Sequence, residues 1–449
     1  ELQTHNRNDT NNLEENTNKY IKILKEATNR LVKLTPKDKD TKMTEESESL
    51  LKQRGNAIAK GNLVAYEMRN KRFRNSIREN QTKTITDTLE NGLDVRDKWL
   101  GIRQLKAEYQ PNTYARRNSD GTYIPHAQRA QKAAEYFSRE QWGKKRKTTD
   151  STREEKTVTE KVDYCKNTEK EYITENITLE EIEEVVKKLK RRKAPGPDEI
   201  PAEVFKEMNE ECLKGILTLL NQWWTTENIP EETLRARVVL IFKKGDSGLY
   251  ENYRPISLLN SIYKIYTSII QKRLSDTLDK YLQSTQYGFR KDKSTADAIQ
   301  IIRRVAEHGQ QTRNKLHMVL LDWEKAFDKV DRNKLIESLE RMSVHPKYIN
   351  IIKSLYKETL FKIEIEGTAS EWMKQETGIR QGCPLSPYLF LIVMTTMFID
   401  AKKDIKHTLI QQRIPGADFD EVMYADDTIL VSESTKAMNL FIRQIEIKG

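Results

Sequence analysis

Cysteine is nearly absent. The 449 residues hold only Cys165, Cys212 and Cys383. They lie far apart, so neither a CxxC zinc site nor a disulfide framework is encoded, and the usage suits a reducing compartment. The six histidines do not gather around them. Long apolar runs are missing as well. The longest begins at Tyr388 and reaches Ile399, about a dozen residues where a bilayer-spanning helix needs about 20. It reads as a buried helix, and no membrane partner is expected. The opening residues, Glu1-Leu2-Gln3-Thr4-His5-Asn6-Arg7, are polar and lack an initiator Met, so they form no signal peptide.

What is abundant is charge. One residue in three is Asp, Glu, Lys or Arg (33%), the net charge is +10 and the pI is near 9.1. A basic balance points to an anionic partner, nucleic acid or a membrane surface. The length allows two or three domains. Residues 1–110 read as a helical, charged spacer. Tyr20, Ile21, Ile23, Leu24, Ala27, Leu31 and Leu34 recur at helical spacing until Thr35-Pro36 stops the pattern. A second helical stretch runs from about Ser47 to Glu90, broken at Gly55 and Gly61. Its basic face carries Arg69, Lys71, Arg72, Arg74 and Arg78 and reads as solvated. Residues 111–175 read as a linker, partly disordered, with a short basic run at Lys144-Lys145-Arg146-Lys147.

Order returns at Thr178-Leu179-Glu180-Glu181, a helix-start capping box. Leu179, Ile182, Val185, Val186 and Leu189 give that helix one apolar stripe. It is expected to run into the basic stretch Lys187 to Lys193 and to end at Pro195-Gly196-Pro197. Two more helices are expected over residues 200–226, with Trp223 and Trp224 in the core. Arg237 to Asp246 reads as a strand leading into a basic turn. Residues 258–282 and 295–307 read as helices, Phe361 to Ile365 as β-prone, Leu385 to Ile399 as a buried helix, and the end of the chain as one further helix.

The chemistry concentrates in two acidic stretches. In Val422 to Val431 two β-prone runs flank Asp426 and Asp427, which predicts a hairpin with both acids at its tip. Adjacent carboxylates repel, and a divalent cation such as Mg²⁺ relieves that cost through hard oxygen ligands. In Met318 to Asp328 an apolar run of strand length ends in Asp322, which predicts that acid at the C-terminal end of a buried strand. If the two strands pair, Asp322 and Asp426 converge on a metal pair, the arrangement used for nucleotidyl transfer.

These stretches, Asp322-x-x-x-Ala-Phe and Tyr424-Ala-Asp-Asp, resemble the palm of a reverse transcriptase. Lys193-Ala-Pro-Gly-Pro-Asp198, Asn252-Tyr-Arg-Pro-Ile-Ser257, Gln286-Tyr-Gly-Phe-Arg290 and Arg380-Gln-Gly-Cys-Pro-Leu-Ser-Pro387 follow the order found in non-LTR (LINE-type) retrotransposon polymerases. The resemblance covers about residue 177 to the C-terminus. It implies an α+β chain with right-hand polymerase fingers (176–315) and palm (316–449), the palm being an antiparallel sheet packed on helices. It implies RNA-directed DNA polymerase activity, with Asp322, Asp426 and Asp427 holding two Mg²⁺ ions, Mn²⁺ being the substitute. Lys243 or Lys244 and Arg254 would grip the triphosphate. Phe327 would exclude a 2′-hydroxyl, Gln381 would lie near the nascent base pair, and Gly382 would allow close backbone approach. Arg290, Lys291 and Lys293 would meet template phosphates. The implied partners are an RNA template, a DNA primer or target, dNTP and an upstream endonuclease domain. The implied setting is a ribonucleoprotein of nucleus and cytoplasm. The family's thumb is expected to be missing here, which leaves a truncated, RNA-binding remnant as the alternative reading.

Overall fold

The structure, a computed structural model, describes residues 2–31, 44–59, 63–91, 116–118, 120–143, 170–313, 315–411 and 413–449. The Thr35-Pro36 stop, the Lys144 to Lys147 run and residues 144–169 of the expected linker lie outside them. The chain divides into two units, residues 27–114 and residues 1–26 with 115–449.

In the smaller unit, helices Glu45–Ala59 and Leu63–Asn91 are joined by polar contacts. The Ser47 and Ser76 hydroxyls meet at 2.7 Å, Arg69 donates to the Gln53 carbonyl at 2.9 Å, and Arg54 covers the Phe73 ring. Gly55 lies inside the first helix, so the expected break there does not occur. One interior glycine costs only about 1 kcal/mol, less than a helical hairpin recovers by pairing. Lys71, Arg72, Arg74 and Arg78 are exposed, as a solvated face requires.

The larger unit includes the first 26 residues of the chain, on helix Leu2–Leu31. Its buried Thr17 hydroxyl meets Trp223 Nε1 at 3.3 Å, and Trp223 and Trp224 are fully buried. Residues 116–143 then depart from the linker expectation. Strands β1 (Arg116–Arg117) and β2 (Tyr123–Ile124) form a small hairpin, and helix Arg129–Tyr136 follows. Ala130, Ala133, Ala134 and Phe137, spaced as one helical face, are all buried.

The capping box forms as the sequence requires: Thr178 Oγ1 and Glu181 each accept from the other's backbone N–H. That helix, Leu179–Lys188, enters the basic stretch as expected but ends at Lys188, short of the Pro195-Gly196-Pro197 stop. Helices Ala202–Lys206 and Glu210–Thr226 follow. The remaining strands are β3 (Ala236–Phe242), β4 (Tyr253–Leu258), β5 (His317–Leu321), β6 (Leu360–Ile365), β7 (Thr368–Ala369), β8 (Met373–Lys374), β9 (Glu421–Tyr424) and β10 (Asp427–Ser432).

They build two sheets. One has the order β4-β3-β6-β7, with β8 also on β6; β3 pairs antiparallel with β4 and parallel with β6. The other is the antiparallel sheet β5-β10-β9. Between helices Arg332–Arg341 and Thr435–Lys448 lies helix Ser386–Lys403, whose Leu389, Leu391, Ile392 and Phe398 are fully buried. No described helix is long and apolar enough to cross a membrane. Side chains alternate faces along β10: Leu430 enters the main core, while Val431 joins Val305 and Ile414 on the other face. β5 is the sheet's edge, and its Leu320 is 75% exposed. The expected buried strand is therefore a half-open edge strand, because β10 is its only partner among the described residues.

Candidate active site

The β9–β10 hairpin closes through Ala425 and Asp426. Tyr424 pairs with Asp427, so Asp426 sits in the two-residue turn and Asp427 opens β10. Ala425 has φ of +59°, a conformation that costs a side-chain-bearing residue about 1–2 kcal/mol. Gln286 compensates. Its Oε1 accepts from the Ala425 N–H at 2.9 Å and its Nε2 donates to the Ala425 carbonyl at 3.3 Å. Two such bonds, each worth about 1 kcal/mol, match the strain. The backbone reinforces the clamp: Tyr287 N–H donates to Met423 O and Met423 N–H to Thr285 O. At Gly288 a Cβ would stand 2.2 Å from the Ala425 nitrogen. The Gln286 to Arg290 turn, expected against a template, thus grips the acidic hairpin.

Asp322 follows β5 directly. Thr428 pairs with Leu321, so continuing the register by one residue sets Asp322 opposite Asp427. Trp323 Nε1 donates to Thr428 Oγ1 at 3.2 Å, fixing the strand end. Asp322 and Asp427 are exposed and Asp426 is half-buried. None of the three carboxylates has a basic partner among the described residues. No group of three or more His, Cys, Asp or Glu among those residues is gathered to hold an ion unaided. Hard, unpaired oxygens suit Mg²⁺, which characteristically binds one or two carboxylates and completes its shell with water and substrate phosphates.

Phe327 is half-buried, stacked on Phe390 at 4.8 Å and edge-on to Phe289 at 6.2 Å. Gly382, at φ +121°, approaches β4 so closely that a Cβ would lie 2.4 Å from the Ser257 oxygen, and Ser257 N–H donates to Gln381 O at 2.8 Å. The Gln381 side chain donates to Asp328 Oδ2 at 2.7 Å. Asp328 is buried and also accepts from Gln141 Nε2 and Trp142 Nε1. Burial pushes its carboxyl up to about 6, against the three donors and the nearby Lys325. Gln141, Trp142 and Asp328 were not singled out as site residues from sequence. The buried Ala/Phe stripe of residues 130–137 was the available signal that this segment packs.

Lys243, Lys244 and Arg254 are exposed at the far end of the β3–β4 hairpin, where Ile241 pairs with Arg254. Behind them the β1–β2 hairpin props the turn: Arg117 N–H donates to Gly248 O at 3.0 Å, and Arg116 donates to Ser247 O and covers the Tyr253 ring. Arg290, expected at the template, is turned inward. All five of its N–H groups are used inside the fold, on Asp279, Gln283 and Gln286, and its side chain is 6% exposed. Lys293 reaches the Ser284 carbonyl and the Tyr287 ring, while Lys291 is exposed.

Residues 241–448 match the family described as reverse transcriptase (RNA-dependent DNA polymerase). Relatives include the transposon TX1 149 kDa protein of Xenopus laevis, 29% identical over 59% of this chain and 20% of that protein. The RNA-directed DNA polymerase from mobile element jockey of Drosophila funebris is 27% identical over 58% of this chain and 28% of its own length. The Pol polyprotein of the type-1 retrotransposable element R2 of Nasonia vitripennis is 26% identical, over 60% and 25%. The matches thus span between a fifth and under a third of these relatives. A telomerase from Candida tropicalis, truncated from its C-terminal domain, is similar at a TM-score of 0.37 and 15% identity, over 48% of this chain and 47% of that one.

Proposed function

We propose that the chain works as the RNA-directed DNA polymerase of a non-LTR retrotransposon. The observation that carries this reading is the set of three carboxylates, Asp322, Asp426 and Asp427, without basic partners among the described residues in a protein of net charge +10. A primer 3′-hydroxyl would bond to the α-phosphorus of a dNTP as the α–β phosphate bond breaks and pyrophosphate leaves. Asp322 and Asp426 would hold two Mg²⁺ ions, with Asp427 adding negative charge; bound, these ions neutralise the phosphates and activate the attacking oxygen. Lys243, Lys244 and Arg254 are free to receive the triphosphate, whose charge must be neutralised during transfer. Phe327, backed by Phe390, would present a rigid ring under the sugar and exclude a ribose 2′-hydroxyl. Gln381 and the Gly382 backbone would line the nascent base pair. Lys291 and Lys293 remain as template contacts; Arg290 does not. The partners are an RNA template, a DNA primer or target and an endonuclease, in a ribonucleoprotein of nucleus and cytoplasm.

The test is primer extension on an RNA template with dNTPs and Mg²⁺, comparing the full chain with Asp426→Ala. Incorporation should vanish in the variant while RNA affinity stays, because acids hold metal and Lys and Arg hold phosphate. Equal activity of the two proteins would remove the metal assignment. RNA binding without incorporation by either would favour a binding remnant.

A further inference from the structure

Gln141 and Trp142 lie outside the family match at residues 241–448, yet both end on Asp328 beside the proposed nucleotide site. The geometry is local. After helix Arg129–Tyr136 the chain widens into a π-type turn, in which Trp142 N–H reaches Phe137 O at 2.8 Å. The wider turn brings two consecutive side chains inward. Gln141 Nε2 meets Asp328 Oδ2 at 2.8 Å and Trp142 Nε1 meets Oδ1 at 2.9 Å. Gln381 Nε2 completes the set at 2.7 Å on Oδ2. The Trp142 ring is 2% exposed and lies edge-on to Phe361 at 4.6 Å. Its carbonyl accepts from the N–H groups of Glu376 and Thr377, just before the Gly378 to Gly382 loop.

A carboxylate accepting from three side chains on two separate segments cannot turn about its own bonds without losing a donor. We infer that Gln141 and Trp142 are positioning residues of the nucleotide site: they hold Asp328, and Asp328 holds the Gln381 amide toward the incoming nucleotide. The inference rests on the polymerase reading, since only there does Gln381 meet a nucleotide. It also assigns a role to the whole 116–143 segment. One end props the turn beside Lys243 and Lys244; the other fixes the Gln381 loop. The segment therefore spans both sides of the dNTP.

The experiment is steady-state primer extension by the full chain, titrating one dNTP. The proteins are wild type, Trp142→Phe, Gln141→Met, Gln381→Ala and the Trp142→Phe/Gln381→Ala double variant, each with a thermal melt. Trp142→Phe keeps the ring and removes the donor; Gln141→Met keeps the volume. Each should raise the dNTP KM by about tenfold, the loss of one charge-assisted hydrogen bond, and leave kcat near wild type. Trp142→Phe should add nothing to Gln381→Ala. A lower melting temperature with unchanged KM, or an effect that adds to Gln381→Ala, overturns the inference. If wild type and Asp426→Ala are equally inert, the polymerase reading has failed, and equilibrium binding of dNTP with Mg²⁺ decides in its place. Binding weakened about tenfold in Trp142→Phe keeps the inference; equal affinities overturn it.

Discussion

Asp328 shows how much a single side chain can hold here. Burial raises its carboxyl to about 6, above the ordinary value near 3.9 for an unfolded chain. Because the folded value is the higher one, the native state binds the proton more tightly across that interval. The contribution of this group to stability is therefore fully present below about pH 4 and lost as pH rises through about 6. A shift of about two units corresponds to roughly 3 kcal/mol. The three donors lower that cost without reversing it. Asp328→Asn removes the titration, so wild type should gain stability relative to the variant on going from pH 7 to pH 5. Parallel melting-temperature curves over that range would show that the carboxyl is not held up. The sequence displayed Asp328 within the Ala-Phe-Asp phrase but gave no hint of its burial, because its partners lie 187 and 186 residues upstream and 53 residues downstream.

Among the elements, the acidic hairpin depends on a turn that its own sequence does not favour. A two-residue turn with positive φ at its first position prefers glycine; this one has Ala425, and the segment from Thr285 to Gly288 supplies the compensation. Gly288→Ala is the direct test. A Cβ there would stand 2.2 Å from the Ala425 nitrogen, and backbone cannot yield as a side-chain tip can. Incorporation should fall by about 100-fold, since small misplacements of reacting groups cost that much, while RNA affinity changes little. Retention of full activity would mean that the hairpin does not need this clamp. The sequence made both elements readable by their phrases, yet it assigned the Gln286 to Arg290 turn to a template. An arginine followed by two lysines looks like a phosphate contact until Asp279 is seen to occupy its fork.

At the scale of the molecule, net charge and the exposed Lys243, Lys244 and Arg254 favour polyanions. Affinity for a primer–template duplex should fall by at least tenfold between about 50 and 200 mM salt, as counterion release requires when several phosphates are neutralised. A flat response would assign the positive charge to solubility alone.

By itself the sequence determined the class. Residue patterning located a helix starting at 179, two helices within 200–226, helices near 295–307 and 385–399, and strands β3, β6, β9 and β10, where the structure has helices 179–188, 202–206, 210–226, 295–312 and 386–403, because those patterns depend on neighbours three or four residues away, or two. The order of short phrases pointed to the family that residues 241–448 match, because glycines at close approaches and acids at a hairpin tip are legible as local phrases. Tertiary structure decided the rest. It turned residues 116–143 from linker into a packed segment, made β5 an edge, and withdrew Arg290 from the surface. It also joined Gln141, Trp142 and Gln381 on one buried carboxylate. Each of those outcomes depends on partners distant in sequence, and a hydrogen-bond donor carries no mark of the acceptor that folding will bring to it.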